Sequence, residues 1–396
     1  MSRRRIATIA ARAGVDNDAA HGAVMPPLYL SSNYSFAGFA QKRRYDYTRS
    51  GNPTRDSLSG ALAELEGGAG GVVTASGMAA ITLLTAQLKP ADLLLAPHDC
   101  YGGSYRLFKA QAERGLYQVE FVDFGDKAAL ASALARRPKI VWIETPSNPL
   151  LRITDIGATA RLAHAVDALV VVDNTFLSPA LQQPLALGAD LVVHSTTKYL
   201  NGHSDVVGGA VIWDDAALGE QLAWWCNCLG LAGAPFDSFL TLRGLRTLQP
   251  RLAVHQANAT AIAELLATHP AVEKVYFPGL STHPGHTLAR RQQSGFGAML
   301  SFDLGGGEEA AAAFVDGLQC FTLAESLGGV ESLVAHPATM THASMDAAAR
   351  HRAGIGDGLL RLSVGIEAEE DLIEDLSLAL DRAEAVQGAA VTSLRG

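Results

Sequence analysis

The chain has 396 residues, 48% of them hydrophobic, with 40 acidic against 31 basic side chains and a net charge of -9. That length exceeds what one ordinary core serves, so a large domain and a smaller one are expected. The acidic balance argues against a nucleic-acid or anionic-membrane surface, either of which needs a basic face, and favours small-molecule chemistry.

The start, Ser2-Arg3-Arg4-Arg5, has the charge of a signal-peptide n-region. The apolar stretch from Ile6 to Ala11 is interrupted by Thr8 and followed by Arg12, too short for an h-region. No run elsewhere supplies the ~18 apolar positions of a bilayer span. A cytoplasmic location is therefore expected, with neither membrane nor nucleic acid as partner. Residues 1–57 are rich in Tyr, Arg, Asn and Pro with little periodicity. They read as an extended arm that finds its partners elsewhere, on another subunit.

From 58 to 251, short apolar runs alternate with helix-like stretches. Val72 to Ala75, Leu93 to Ala96, Val119 to Val122, Ile140 to Ile143, Leu169 to Val172, Leu191 to Val193 and Ala210 to Trp213 are strand candidates. Between them lie segments such as Lys127 to Leu134, where Leu130 and Leu134 sit one helical turn apart. The alternation predicts an α/β domain with a mostly parallel seven-stranded sheet covered by helices on both faces. Residues 252–396 read as a smaller α+β domain. It opens with the amphipathic stretch Leu252 to Thr268 and holds strand candidates at Ala298 to Phe302 and Leu359 to Val364. Ala310 to Ala313 is a helical alanine run, and there is no internal repeat.

Ligands of such sheets bind at the carboxyl ends of the strands. Polar residues collect there: Ser76-Gly77-Met78, Glu144 to Asn148, Asp173-Asn174, and Ser195 to Lys198. A lysine amine at one strand end and a carboxylate at an earlier one suit pyridoxal 5'-phosphate. Lys198 would form a Schiff base with its aldehyde, and Asp173 would keep the ring nitrogen protonated so that the ring acts as an electron sink. Asp173 also reads as a cap or turn carboxylate. Ser76-Gly77-Met78, opening a helix after a strand, offers free amides to a phosphate, although a plain tight turn explains it equally. Ser195 and Thr197 are close enough to Lys198 to give hydroxyls to the same phosphate; capping or a turn is their other reading. Tyr101, in a glycine-rich loop after the second strand, is placed to cover a cofactor ring.

Other chemistries fit less well. Ser195-Thr196-Thr197-Lys198 has the S-x-x-K spacing of penicillin-recognising hydrolases, but neither Ser-Asp-Asn nor Lys-Thr-Gly occurs. There is no Walker loop or His-Glu-x-x-His, and Gly67 to Gly71 does not complete a G-x-G-x-x-G. His283, His286, His336 and His342 lack metal-site spacing, and no metal is expected. Cys100, Cys226, Cys228 and Cys320 are few and irregularly spaced, which suits a reducing compartment, and Cys226-Asn227-Cys228 has no second pair to complete a zinc site.

Several longer stretches carry a resemblance. Tyr45 to Arg55, Glu144-Thr145-Pro146-Ser147-Asn148-Pro149, Val172-Asp173-Asn174-Thr175-Phe176, Ser195 to Asp205, and Ala324-Glu325-Ser326-Leu327-Gly328-Gly329 resemble the transsulfuration enzymes of cysteine and methionine metabolism. The similarity runs almost end to end. Ala96 to Phe108 and Ala223-Trp224-Trp225 are most similar to the bacterial members that run γ-replacement.

The resemblance implies a fold-type I, aspartate-aminotransferase-like pyridoxal-phosphate transferase, and a homotetramer of dimers with shared active sites. It implies that L-cystathionine and succinate are made from O-succinyl-L-homoserine and L-cysteine; γ-elimination of cystathionine is the alternative. By position, Lys198 matches the cofactor lysine, Asp173 the ring-nitrogen partner, and Tyr101 the stacking ring. Gly77, Met78, Ser195 and Thr197 match phosphate binders, while Tyr47 and Arg49 match residues that reach a neighbouring subunit's phosphate. Asn148, Ser326 and Arg361 match the groups that hold the substrate α-carboxylate or the cofactor oxygen. Arg106 matches the receiver of the distal succinyl carboxylate, and Asp46 and Glu325 line the entry of the second amino acid. Should nearby cationic groups lower its pKa, Tyr101 would assist proton transfer. Arg361 lies in an otherwise apolar strand, where a bidentate carboxylate or an internal salt bridge would satisfy it.

Overall fold

The computed structural model describes residues 4–341, 350 and 353–393; His342 lies outside them. The chain divides into two compact units. The first comprises 1–97, 107–143 and 156–249, and the second 98–106, 144–155 and 250–396.

In the first unit, seven strands form one sheet: β1 (Gly70–Thr74), β2 (Leu93–Pro97), β3 (Gln118–Val122), β4 (Ile140–Glu144), β5 (Leu169–Asp173), β6 (Leu191–Ser195) and β7 (Gly209–Trp213), in the order β1-β7-β6-β5-β4-β2-β3. Each coincides with an expected strand to within two residues at either end. β2 runs parallel to β3 and β4, and β5 parallel to β6. β7 is antiparallel to both β1 and β6. Side-chain alternation sends Leu94, Ala96, Ile140, Trp142 and Val171 into one core and Leu95, Val141, Ile143, Val170 and Val172 into another. Both faces of the central strands are thereby buried, which is why they read as unbroken apolar runs.

The helix Pro53–Glu66 begins inside the stretch expected to be arm. The Asn52 side chain accepts the N–H groups of Thr54 and Arg55 at 2.9 and 3.2 Å, Pro53 supplies the first-turn φ, and Gly67 closes the helix at φ 77°. Asp126 caps the helix Lys127–Leu134 in the same way. Before Asn52 the described residues hold one short helix, Ile6–Ala11, and isolated bridges such as Asn33 to Tyr47.

The second unit holds a five-stranded sheet of β8 (Val272–Tyr276), β9 (Met299–Leu304), β10 (Thr322–Leu323), β11 (Leu333–Ala335) and β12 (Leu359–Ser363), ordered β10-β11-β12-β9-β8. Antiparallel pairing joins β8 to β9, β9 to β12 and β12 to β11. Phe302 of β9 meets Phe314 of the helix Gly307–Val315 edge to face, 5.3 Å between centroids. Among the described residues no helix is long and apolar enough to cross a membrane.

Candidate active site

In the first unit the carboxyl ends of β5, β6 and the loop after β1 build a small polar cradle. Ser76 caps the helix Gly77–Thr85, its hydroxyl accepting the Ala79 N–H at 3.0 Å. The amides of Gly77 and Met78 in the first turn have no intrahelical acceptor, and the helix dipole favours an anion there. Glycine is required at 77 because a Cβ would meet Ser195 Cβ at 2.9 Å and its Oγ at 3.1 Å. Gly209 of β7 packs so closely on this turn that a Cβ would lie 2.2 Å from the Ser76 carbonyl oxygen. The Thr197 hydroxyl accepts the Gly208 N–H at 3.0 Å, tying the Lys198 turn to the start of β7. Lys198 is half-buried in that turn, and its carbonyl accepts the Gly202 N–H at 2.8 Å.

Asp173 ends β5. Its Oδ1 accepts both the N–H and the hydroxyl of Thr175, and the Thr175 Oγ1 in turn accepts the Ser195 N–H at 2.9 Å. One hydroxyl thus joins the Asp173 carboxylate to the Ser195 backbone. Burial pushes the Asp173 carboxyl pKa up, against the hydrogen bonds from Thr175 and the field of His194. A carboxylate desolvated in this way is stabilised in its charged form by a nearby cation. Free amides over a glycine floor, a buried carboxylate and a lysine amine together match the donors and acceptors of pyridoxal phosphate.

Sequence reasoning missed the layer beneath. Glu66 and His194 are fully buried, with His194 Nε2 2.6 Å from Glu66 Oε1, and Asn174 donates to the same oxygen at 2.9 Å. Gln182 completes the network through Asn174 Oδ1 at 3.1 Å. Their signal in sequence was a polar residue at the end of an apolar run, which gives no hint of the partner.

The arm residues make their contacts elsewhere. Arg49 donates to the Asn227 carbonyl and Oδ1, both at 2.9 Å, and its guanidinium lies 5.6 Å from the ring centre of the exposed Tyr47. Asp46 pairs with Lys42 Nζ at 2.7 Å and accepts from Ser50, which hold its carboxyl down at about 2.

In the second unit Arg361 of β12 is buried. It donates from Nη1 to Asn148 Oδ1 at 3.0 Å and from Nη2 to the Ser326 carbonyl at 2.9 Å. These two oxygens orient the guanidinium. Ser326 adopts φ 85°, a left-handed conformation unusual for a serine, and this turn presents its carbonyl to Arg361. Arg106 and Glu325 are both exposed, and both act on Tyr101 through their charges. Tyr101 corrects one expectation: its pKa is raised, because burial outweighs the cationic Arg106 and Arg361. In this state it is a phenol and a poor base. Glu144, given no role from sequence, accepts the Tyr101 N–H at 2.7 Å and the Asn148 N–H at 3.2 Å.

The histidines take structural positions. His286 bonds the Pro278 carbonyl and stacks on Phe296, and His336 bonds Thr339 and the Asp357 carbonyl. Burial lowers the His283 pKa to about 4.

Residues 7–381 match the Cys/Met metabolism PLP-dependent enzyme family, and the chain belongs to it. It is a pyridoxal-phosphate enzyme with the fold-type I architecture that its motifs implied. Cystathionine gamma-synthase of Escherichia coli (strain K12) is 61% identical over 374 residues, 94% of this chain and 97% of that protein. Crystal structures of cystathionine gamma synthase from Xanthomonas oryzae pv. oryzae, in complex with aminoacrylate and cysteine and with cystathionine, share 67% identity at a TM-score of 0.96 over 97% of this chain and 99% of theirs. Cystathionine gamma-lyase from Lactobacillus plantarum shares 42% at a TM-score of 0.93, over 96% of this chain and 100% of that one. The likeness to the γ-replacement members read from Ala96 to Phe108 is borne out.

Proposed function

We propose that the chain joins O-succinyl-L-homoserine and L-cysteine to give L-cystathionine and succinate. The observation that carries this reading is the 67% identity, along nearly the whole chain, to a synthase whose crystal structure holds cystathionine. The γ-lyase likeness, at 42%, makes γ-elimination the second outcome to test.

Bound pyridoxal phosphate supplies an electron sink that makes the Cα and Cβ protons of the substrate acidic. Gly77 and Met78 amides with the Ser195 and Thr197 hydroxyls hold its phosphate, Tyr101 covers its ring, and Asp173 holds the ring nitrogen protonated. Lys198 Nζ anchors the cofactor, takes the Cα proton once released, then moves protons to and from Cβ. The Cγ–O bond breaks with its electron pair leaving on succinate, and the cysteine sulfur forms the new Cγ–S bond after losing its proton. Lys198 returns the borrowed protons. Arg361, oriented by Asn148 and Ser326, fixes the substrate α-carboxylate, and fixing that group aligns the Cα–H bond with Lys198. Arg106 receives the distal succinyl carboxylate, and Asp46 and Glu325 receive the incoming amino acid.

The arm, residues 1–57, carries Tyr47 and Arg49 to the phosphate of a neighbouring subunit in a homotetramer built from dimers; the exposure of Tyr47, Phe36 and Phe39 supports a covering partner. We place the large cofactor-binding domain at 58–251 and the smaller one at 252–396, with residues 98–106 and 144–155 grouping with the second compact unit. Few cysteines, a net negative charge and the lack of a spanning helix among the described residues support a cytoplasmic enzyme. The deciding experiment is a paired assay. Succinate release that requires both O-succinylhomoserine and cysteine is expected; 2-oxobutyrate release from cystathionine as the faster reaction would replace this reading with the lyase.

A further inference from the structure

Two carboxylates clasp the segment 98–106, which runs into the helix Gly102–Glu113, to the segment 144–155, one reaching in each direction. Asp99, from the first loop, accepts the Ser147 hydroxyl at 2.8 Å and Arg152 Nη1 at 3.1 Å. Glu144, from the second, accepts the Tyr101 N–H on Oε2 at 2.7 Å and the Asn148 N–H on Oε1 at 3.2 Å. The Asn148 side chain then receives Arg361 at 3.0 Å. All of Glu144, Asn148 and Arg361 are buried, so water does not substitute readily for a lost contact.

We propose that Glu144 is a positioning residue for amino-acid recognition. By holding the backbone N–H groups of both Tyr101 and Asn148, it fixes the aromatic cover relative to the asparagine that orients Arg361. It thereby sets how tightly an α-amino carboxylate is bound. Glu144 itself need not touch the ligand. Its two oxygens each serve one N–H, a division only a carboxylate performs: glutamine offers one acceptor oxygen and turns an NH2 toward the other donor. This inference rests on the proposed role of Arg361 as the carboxylate binder.

The test uses the cofactor-loaded full chain and L-alanine, which has an α-carboxylate but no γ leaving group. The alanine dissociation constant is read from the change in absorption of the bound cofactor, with cofactor content and melting temperature measured alongside. Glu144→Gln is expected to weaken alanine binding about tenfold at unchanged cofactor content, the loss of one charge-assisted bond to a buried N–H. Glu144→Asp, which keeps the charge on a shorter stem, is expected to recover part of that loss, and a lowered melting temperature alone would not reproduce the pattern. Wild-type alanine affinity in Glu144→Gln, with Arg361→Lys clearly weakened, would overturn the positioning role and leave the carboxylate site standing. Unchanged affinity in Arg361→Lys would instead remove the site on which both rest. If Glu144→Gln does not fold, Glu144→Asp decides by itself: a few-fold loss supports the role, and wild-type affinity overturns it.

Discussion

Thr175→Val replaces a hydroxyl by a methyl group of nearly the same size, yet the hydroxyl stands at a junction. It donates to Asp173 Oδ1 and accepts the Ser195 N–H. Valine removes one hydrogen bond to a charged group, worth about 1.5–3 kcal/mol, and leaves the Ser195 amide without this acceptor, at about 1–3 kcal/mol. The two effects share one site and are not fully additive, so the loss is about 3 kcal/mol, near the lower end of the roughly 2.5–6 kcal/mol that the two ranges span. With a urea slope of about 3 kcal/mol/M, the unfolding midpoint of the cofactor-free chain falls by about 1 M. The substitution also acts on charge. Burial drives the Asp173 pKa up and Thr175 holds it down, so valine raises it further. The carboxylate proposed to pair with the ring nitrogen is then lost at a higher pH, and the acid limb of cofactor affinity should move upward in pH. Equilibrium dialysis against pyridoxal phosphate across pH measures this, and Thr175→Ser, which keeps the hydroxyl, serves as the reference. An unchanged urea midpoint together with an unchanged acid limb would refute the bridging role.

Other outcomes follow from the same geometry. Gly77→Ala places a methyl 2.9 Å from Ser195 Cβ and should raise the cofactor dissociation constant at least about tenfold, read by dialysis and resaturation; full occupancy at wild-type affinity would contradict the cradle. Lys198→Ala should abolish turnover and alter the visible absorption of the bound cofactor, and normal turnover would remove Lys198 from its proposed role. Asp173→Asn should act with opposite signs on two forms, sparing the cofactor-free chain the cost of a buried charge while weakening cofactor binding; melting curves with and without pyridoxal phosphate separate the two. Burial lowers the His255 pKa to about 4 from the usual 6.5, so between those values the unfolded chain binds the proton that the folded chain refuses. Stability should therefore fall as pH drops from 6.5 to 4, by about 1.4 kcal/mol per pKa unit of difference. His255→Gln should flatten that decline in urea titrations, and an undiminished slope would place its origin in other groups.

The seven strands of the first unit were legible because β2, β4, β5 and β6 are buried on both faces, so that unbroken apolar runs end at polar residues. The second sheet was harder to read. β8 reads Val-Glu-Lys-Val-Tyr, with Glu273 and Lys274 exposed on a sheet edge, and β10 and β11 have two and three residues. Such short or edge segments carry no periodic signal, and their pairing is set by tertiary contacts. The chemistry divides likewise. Lys198, Asp173 and the Ser76-Gly77 turn could be placed because their residue types, at strand ends, already limit what they can do. Glu144 could not, because its role depends on which backbone N–H groups its oxygens meet. Glu66 and His194 lie 128 positions apart, and only the packing of the helix Pro53–Glu66 makes them a pair.

The second unit is assembled from three stretches of chain. Residues 98–106 and 144–155, which carry Tyr101, Glu144 and Asn148, leave the ribosome well ahead of β12; Asn148 precedes Arg361 by 213 positions. An emerging chain can close the seven-stranded sheet before β12, and with it the Arg361 that donates to Asn148, has been synthesised. Truncation between β7 and β12 would accordingly keep Asp173 and Lys198 while removing Arg361, the residue proposed to hold a carboxylate. Nor can a fragment starting at Pro250 stand in for the missing half, since two of its loops would have been left behind.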